Sequence, residues 1–284
     1  MAPPPPAPAY GAVSSVHYRD FADADDLAAY LRWRPGAPVL VSAHRGGPAP
    51  GLPENALATF EYALNFAPVL VETDVRRAAD GTLVLHHDET LDRTTTGTGP
   101  VAARTLAELR TLYLLDPEGT VTHHRIPTLA EALAWAEGRA ILMLDVKEDV
   151  PPEAVVAAIR EADAEDQAIV IVYALADLRA YHALAPDLVY SAAATTPAEV
   201  EALLAAPVDT GRLVAFAGVG TVDPVVVARL HEAGIRVQAG TFGATDEAAA
   251  RLGAAAYRPL LDAGADVLAT DDVPAAARAV RRRR

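Results

Sequence analysis

Two acidic residues and a histidine–arginine pair stand at the ends of apolar runs in the first third of the chain. Glu72 and Asp74 belong to the run VLVETDV, and His44 and Arg45 directly follow the run VLVSA. Residues two apart in a β-strand point to the same face, so both carboxylates are expected on one side of a sheet. Buried carboxylates repel each other, and a divalent cation is their natural partner.

A third acidic residue lies in a later apolar run, ILMLDVK, where Asp145 and Lys147 have the same two-residue spacing. Asp145 would complete a set of three carboxylates, and hard oxygen ligands without cysteine favour Mg²⁺ or Ca²⁺. Lys147 and Arg45 would then be free to bind an anionic substrate, since arginine can hold two phosphate oxygens at once. The alternative is that the earlier carboxylates pair with Arg76 or Arg77.

Two histidines occupy polar positions at the ends of separate apolar runs. His44 and His87 are expected to converge on the acidic cluster, where two imidazoles of near-neutral pKa can act as general base and general acid. His86 should face away from His87, and His123 and His124 lie in a polar loop. For these three the sequence favours a surface position without a role in catalysis.

Short apolar runs recur along the chain between alanine-rich segments of helical period. They lie at 39–43, 69–75, 83–87, 141–147, 169–174, 188–192, 213–219, 236–242 and 266–270. Continuous apolar runs are typical of strands buried on both faces, and strands that alternate with helices predict a parallel sheet. The predicted fold class is therefore α/β, a TIM (β/α)₈ barrel with catalytic groups at the carboxyl ends of its strands.

The nine runs exceed the eight strands of such a barrel, and the second and third are too close together for a helical crossover. An Asp-Gly turn signal at 80–81 indicates that these two runs form a hairpin. Pairing Arg77 near Thr82 would bring His87 roughly opposite Glu72. The predicted hairpin thus places a histidine beside a carboxylate.

The chain divides into three parts by composition. Residues 1–9 are mostly Pro and Ala and are expected to form a disordered tail. Residues 10–37 form an N-terminal extension with a short amphipathic helix, and 38–284 form the barrel domain. Within it, 88–127 is predicted to be an insertion over the catalytic mouth, with a helix near Thr105–Tyr113.

Composition excludes several functional classes. The formal charge of −14 disfavours nucleic acid as a partner, and the arginine run at 281–284 is interpreted as a solvated tail. No apolar run approaches the roughly 18 residues of a membrane-spanning helix, so stable membrane insertion is not expected. The absence of cysteine leaves the redox compartment open, and localisation and oligomeric state are not predicted.

The motifs that carry these residues resemble the glycerophosphodiester phosphodiesterase family. They are, in order, HRGG (44–47), PEN (53–55), ETDV (72–75), DG (80–81), HD (87–88), LDRTTTGTG (91–99) and DVK (145–147). The resemblance is strong from about Val39 to Lys147 and weaker as far as the Thr-Asp pair at 270–271.

The resemblance implies a phospholipase C-like phosphodiesterase barrel that cleaves a glycerophosphodiester to glycerol 3-phosphate and an alcohol. In this family the attacking group is thought to be the substrate's own neighbouring hydroxyl, which gives a cyclic phosphate. The matching positions are Glu72, Asp74 and Asp145 for a divalent metal, His44 and His87 for catalysis, and Arg45 and Lys147 for the phosphate.

The chain also departs from the family pattern. Asp145 stands where the family usually has Glu, and a Tyr-Ala pair at 173–174 replaces Ser-Phe. The sequence AGTFG at 239–243 replaces a Trp-Thr-Val-Asn element. Because these regions shape the pocket for the alcohol, the substrate is less well defined than the reaction type. Glu54 and Phe242 are candidate residues of the substrate pocket.

Two other functions are compatible with the same residues. One is a phospholipase D-like cleavage of lysophospholipids or sphingolipids through a cyclic phosphate. The other is a non-catalytic barrel that binds phosphorylated ligands, although such a binder has little physical need for two imidazoles around a costly carboxylate cluster. The partner predicted by the main hypothesis is a small phosphodiester, with Mg²⁺ or Ca²⁺ as cofactor.

Overall fold

The computed structural model describes residues 17–281. The predicted tail at 1–9 and the arginines at 282–284 lie outside the described residues. Within them the strands are β1 (Leu40–Ala43), β2 (Val69–Arg77), β3 (Leu83–Leu85), β4 (Ile141–Val146), β5 (Ala168–Val172), β6 (Val189–Ala193), β7 (Leu213–Val219), β8 (Arg236–Gly240) and β9 (Val267–Thr270). Each of the nine predicted runs overlaps one of these strands.

Eight of the strands close into a parallel barrel. β1 pairs in parallel with both β2 and β9, with Val41 opposite Val69 and Leu40 opposite Val267. The remaining order is β9-β8-β7-β6-β5-β4-β2, and every neighbouring pair in it is parallel. The predicted TIM barrel is confirmed.

Helices surround the barrel and bury its outer face. They are α1 (Ala24–Leu31), α2 (Leu57–Ala63), α3 (Leu106–Leu109), α4 (Leu129–Ala136), α5 (Pro152–Glu161), α6 (Leu175–Leu184), α7 (Pro197–Leu204), α8 (Pro224–Glu232), α9 (Ala244–Leu252), α10 (Arg258–Asp262) and α11 (Val273–Arg281). The largest apolar core lies between these helices and the strands. None of the helices formed by residues 17–281 combines the length and the hydropathy needed to cross a bilayer.

The barrel interior is filled by side chains at its amino-terminal end. Apolar side chains from several strands pack there against Leu27 and Leu31 of α1, and this helix closes the amino-terminal end of the barrel. The fully buried Arg236 of β8 donates to the carbonyl oxygens of Pro38 and Tyr30, so even its charged group contacts the closing segment. The interior formed by residues 17–281 therefore opens toward the carboxyl ends of the strands, where a TIM barrel carries its site.

The hairpin forms as predicted, but its register differs by one residue. Arg77 pairs with Leu83 rather than with Thr82, because Thr82 pairs with Ala78, whose N–H donates to the Thr82 carbonyl oxygen, and five residues (78–82) separate Arg77 from Leu83. β3 ends at Leu85, so His87 is not part of the ladder and does not lie opposite Glu72 by strand pairing.

The segment 88–127 packs on its own small core beside the hairpin, with Leu91, Leu109 and Leu114 buried. The predicted helix near Thr105–Tyr113 is present only as the single turn α3. It begins at a capping box formed by Thr105 and Glu108, and it ends where the Thr111 hydroxyl donates to the Glu108 carbonyl oxygen.

Candidate active site

Three carboxylates meet at the carboxyl end of β2 and β4. Asp74 and Asp145 are direct neighbours in the parallel register, and Glu72 lies two residues before Asp74 on the same interior face. All three residues are buried, and one oxygen from each lies within 4.8 Å of the others. Among residues 17–281 no donor reaches Oδ1 of Asp145. A buried all-oxygen set with an unsatisfied carboxylate oxygen fits a hard divalent cation.

The charges in this cluster are only partly balanced by the protein. Burial and the neighbouring charge of Asp74 raise the pKa of Glu72 to about 8. Burial alone would also raise the pKa of Asp74, but the ammonium group of Lys147 and a hydrogen bond from Asn55 lower it below its usual value. Glu72 is therefore the carboxylate that most needs an additional positive charge.

The sequence had led us to expect that Lys147 is free to bind a substrate. In this structure its ammonium group is paired with carboxylates instead. Its Nζ lies 2.6 Å from Oδ1 of Asp74 and 2.6 Å from Oδ2 of Asp145. The alternative pairing of the carboxylates with Arg76 or Arg77 is absent from the described contacts, since Arg76 pairs with Asp149 at 3.0 Å. A different arginine, Arg45, approaches the cluster, with its Nε 3.7 Å from Oδ2 of Asp74. Lys147 thus bridges two of the three carboxylates.

A tight turn after β1 brings the backbone to the same cluster. Arg45 adopts φ 51°, an uncommon left-handed conformation, and its N–H donates to Oε2 of Glu72 at 2.6 Å. Gly46 follows at φ 87°, and a side chain there would meet the Phe60 ring at 2.5 Å. The glycine after the histidine–arginine pair is thus required by close packing as well as by backbone conformation.

Asn55 is a site residue that the reasoning from spacing did not single out, although it belongs to the PEN motif. Its side chain is buried, and Nδ2 donates to Oδ2 of Asp74 at 2.7 Å. Its Oδ1 accepts from the Thr73 hydroxyl and from the backbone N–H of Asp74. The motif supplies the support that fixes one carboxylate in the cluster.

His44 lies beside the carboxylates, and a residue that follows the neighbouring strand β9 orients its ring. Its Nδ1 is 2.7 Å from Oδ1 of Asp271, the residue that follows β9, and Phe242 stacks on its ring with centroids 4.6 Å apart. Burial by itself lowers the pKa of His44, but the hydrogen bond to Asp271 and the charge of Glu72 outweigh it and raise the pKa. With Nδ1 directed at Asp271, Nε2 is left for a substrate.

His87 is held by a chain of ion pairs that runs along the rim. Its Nδ1 is 2.7 Å from Asp88, whose carboxylate is bound by Arg93. Arg93 also binds both oxygens of Glu54, and Glu54 pairs with Arg45 at 3.2 Å. Glu54 therefore connects the two predicted catalytic segments, and it does not belong to the lining of the apolar pocket described below.

The three histidines that were expected at the surface, His86, His123 and His124, are all at least partly buried. His86 is buried, not on the surface, and its Nε2 lies 3.0 Å from the Thr90 carbonyl oxygen. His123 and His124 are partly buried in the 88–127 segment and pack against each other with ring centroids 3.9 Å apart. None of the three side chains lines either cavity described below, although the backbone N–H of His86 donates to the Asp74 carbonyl oxygen at 3.0 Å.

The cluster opens into two cavities that share Asp145 and Tyr173. The apolar pocket, of about 230 Å³, also includes His44 and Glu72. Its remaining lining is Ile171, Val172, Ser191, Ala193, Phe216, Val219, Gln238, Phe242 and Ala269. The polar cleft, of about 660 Å³, is lined by Arg76, Glu89, Val101, Ala102, Val146, Lys147, Glu148 and Asp149 in addition to the two shared residues.

Comparison with known proteins agrees with this geometry. The model of the Glycerophosphoryl diester phosphodiesterase family matches residues 44–275. A glycerophosphodiester phosphodiesterase of Caldanaerobacter subterraneus subsp. tengcongensis is 34% identical over 157 residues, which is 53% of this chain and 64% of that relative. A probable glycerophosphodiester phosphodiesterase 1 of Mycobacterium tuberculosis is 51% identical over 77 residues, 27% of each chain.

The aligned segments thus span less than two thirds of these relatives. The likeness to a solved structure is more extensive. A glycerophosphoryl diester phosphodiesterase from Parabacteroides distasonis superposes with a TM-score of 0.86 at 32% identity, over 93% of this chain and 94% of that one. The motifs, the barrel and the matched family model lead to one conclusion: this chain belongs to the glycerophosphoryl diester phosphodiesterase family.

Proposed function

We propose that this protein is a metal-dependent phosphodiesterase that hydrolyses glycerophosphodiesters to glycerol 3-phosphate and an alcohol. The observation that carries the proposal is the position of His44 in one pocket with the carboxylate cluster of Glu72, Asp74 and Asp145. His87 lies on the rim, where Asp88 orients it. Membership of the family supports the same reaction.

The two imidazoles divide the proton transfers between them. His44 accepts the proton of the glycerol hydroxyl next to the phosphate ester, and that oxygen forms a bond to phosphorus while the bond to the departing alcohol breaks. His87 gives its proton to the departing oxygen. Water then opens the cyclic phosphate as the proton transfers run in reverse, which leaves glycerol 3-phosphate. Asp271 and Asp88 orient the two rings through Nδ1.

Positive charge near the phosphate stabilises the charge that develops on its oxygens. Glu72, Asp74 and Asp145 would hold a divalent ion such as Mg²⁺ or Ca²⁺, which supplies Lewis-acid stabilisation when bound. Arg45 and Lys147 supply the protein's own positive charge at the same place. Because Lys147 bridges two carboxylates here, its side chain would have to turn toward the substrate to contact the phosphate.

The experiment that tests this function is release of glycerol 3-phosphate from a panel of glycerophosphodiesters. Each substrate is incubated with Mg²⁺, with Ca²⁺ and with a chelator, and His44→Ala serves as the control for contaminating activity. Release that requires the metal and disappears in the variant supports the proposal. No release from the panel, together with cyclic phosphate formed from a lysophospholipid and detected by phosphorus NMR, would replace it with the phospholipase D-like reaction.

A further inference from the structure

Besides Oδ1 of Asp145, the lining of the apolar pocket includes a second buried polar atom that lacks a hydrogen-bond partner among residues 17–281. Gln238 lies on β8 opposite Phe216 of β7, and its side chain is only 4% exposed. No donor among the described residues reaches its Oε1. Burying a carboxamide oxygen without a hydrogen bond destabilises the protein, so such a group in a binding pocket marks where a ligand donor is expected.

The walls around Gln238 determine what kind of ligand group fits there. Ile171, Ala193 and Phe216 make this side of the pocket apolar. An isolated charge would be costly to bury against such walls, whereas a neutral aliphatic group would gain by the contact. The pocket volume of about 230 Å³ lies below the range of roughly 300 to 1,000 Å³ for drug-sized ligands. The expected group is therefore short and uncharged.

The ring of Phe242 limits the pocket further. Gly240 has no side chain, and the space where its Cβ would stand is filled by Phe242, with Cζ 2.8 Å away. The same ring stacks on His44. A substrate group in the pocket is thus confined between the imidazole that the proposed mechanism uses and the carboxamide of Gln238.

The polar cleft offers a different environment for the other alcohol of a phosphodiester. It shares Asp145 and Tyr173 with the apolar pocket and carries the charged side chains of Arg76, Glu89 and Glu148. Its larger volume, about 660 Å³, leaves room for polar or charged alcohols. The two alcohols of one substrate would therefore separate by polarity, the neutral one into the apolar pocket and the other into the cleft.

We propose that Gln238 determines specificity by accepting a hydrogen bond from the terminal hydroxyl of the glycerol group, which the apolar pocket holds next to His44. This inference rests on the proposed function, because that function makes glycerol the group beside His44. Glycerol is neutral, has three carbons and carries a hydroxyl remote from the phosphate, which satisfies the unpartnered oxygen of Gln238.

The test compares a glycerophosphodiester with an analogue in which propane-1,2-diol replaces glycerol and the departing alcohol is the same. The analogue keeps the hydroxyl that attacks phosphorus and lacks only the terminal hydroxyl. The native protein should prefer the glycerol substrate by about 10-fold in kcat/KM, as expected for one hydrogen bond to a buried group. In Gln238→Met, which preserves shape, this ratio should fall close to 1.

Gln167→Met is the matched control. Gln167 is also buried, but it precedes β5 and its Nε2 donates to the Leu133 carbonyl oxygen, away from the pocket. The control should keep the native preference. A Gln238→Met protein that retains the preference, or that loses rate equally on both substrates, would overturn the proposal.

A binding measurement separates this inference from the proposed reaction. Calorimetric titration with Mg²⁺ present should give about 10-fold tighter binding of glycerol 3-phosphate than of propane-1,2-diol 1-phosphate, and Gln238→Met should abolish the difference. If binding shows this preference but no diester is hydrolysed, the recognition of the terminal hydroxyl by Gln238 is supported and the proposed reaction is rejected. Equal binding of the two phosphates to the native protein would reject the role of Gln238 even if the diester is cleaved.

Discussion

The side-chain amide of Asn55 donates a 2.7 Å hydrogen bond to Oδ2 of Asp74, although the two residues are separated by 19 positions in the chain. The Asn55 oxygen simultaneously accepts from Thr73 and from the backbone of Asp74. Asn55 itself has φ 56°, a conformation that asparagine tolerates better than most residues. The PEN motif therefore supplies the side chain that orients a proposed metal ligand.

Replacing Asn55 by Gly should weaken metal binding, because glycine keeps the backbone conformation and removes all three side-chain contacts. We expect Mg²⁺ affinity to fall about 10- to 100-fold, as for other residues that orient metal ligands. Asn65→Gly is the control, since the Asn65 side chain contacts only the Tyr62 carbonyl oxygen among the described bonds. Calorimetric titration measures both affinities, and equal values for Asn55→Gly and the native protein would contradict the prediction.

The positions of the strands and of the strand-end residues could be predicted because they depend on local patterns. A strand buried on both faces is a continuous apolar run, and alternation places Glu72 and Asp74 on one face. The one-residue error at Arg77 has a different origin. An Asp-Gly pair locates a turn but does not determine the length of the connection, and five residues (78–82) rather than four separate Arg77 from its partner.

The contacts that orient the catalytic candidates could not be obtained from spacing. His44 and Asp271 are separated by 227 positions, and only the pairing of β1 with β9 brings them together. Arg93 is a surface arginine in a polar loop by composition, but the packing of that loop places it between Asp88 and Glu54. Such contacts depend on barrel closure and loop packing, which no local pattern records.

Asp145→Asn should reduce the affinity for a divalent cation, because it removes the negative charge from the oxygen that has no partner among the described residues. The expected loss is at least about 10-fold, comparable to or larger than the loss of an outer-shell contact. Glu148→Gln serves as the control, since Glu148 is an exposed acid shortly after the same strand. If titration gives the native affinity for Asp145→Asn, Asp145 is not a ligand.

His87→Ala should lower kcat by at least about 100-fold, the smaller contribution typical of a general acid or base, and leave the fold intact. His87 is partly exposed at the rim and supports no strand, so the thermal unfolding temperature should change little. His123→Ala makes the same change in the 88–127 segment and should retain native kcat. Native turnover in His87→Ala would remove this residue from the mechanism.

His124 should make the folded protein sensitive to mild acid. Burial and the nearby charge of His123 lower the pKa of His124 to about 4, whereas an unfolded chain has a histidine pKa of about 6.5. As the pH falls from about 6.5 toward 4, His124 binds a proton in the unfolded chain but not in the folded protein. The free energy of unfolding therefore decreases. Partial exposure of the ring limits this loss to about 1 to 2 kcal/mol.

The measurement is urea denaturation of the native protein and of His124→Gln at pH 7.5, 5.5 and 4.5. Glutamine does not titrate, and every other ionisable group is common to the two proteins. The native protein should therefore lose stability relative to the variant at each step to lower pH. A stability difference that stays constant from pH 7.5 to 4.5 would mean that folded His124 takes up its proton as readily as it does in the unfolded chain.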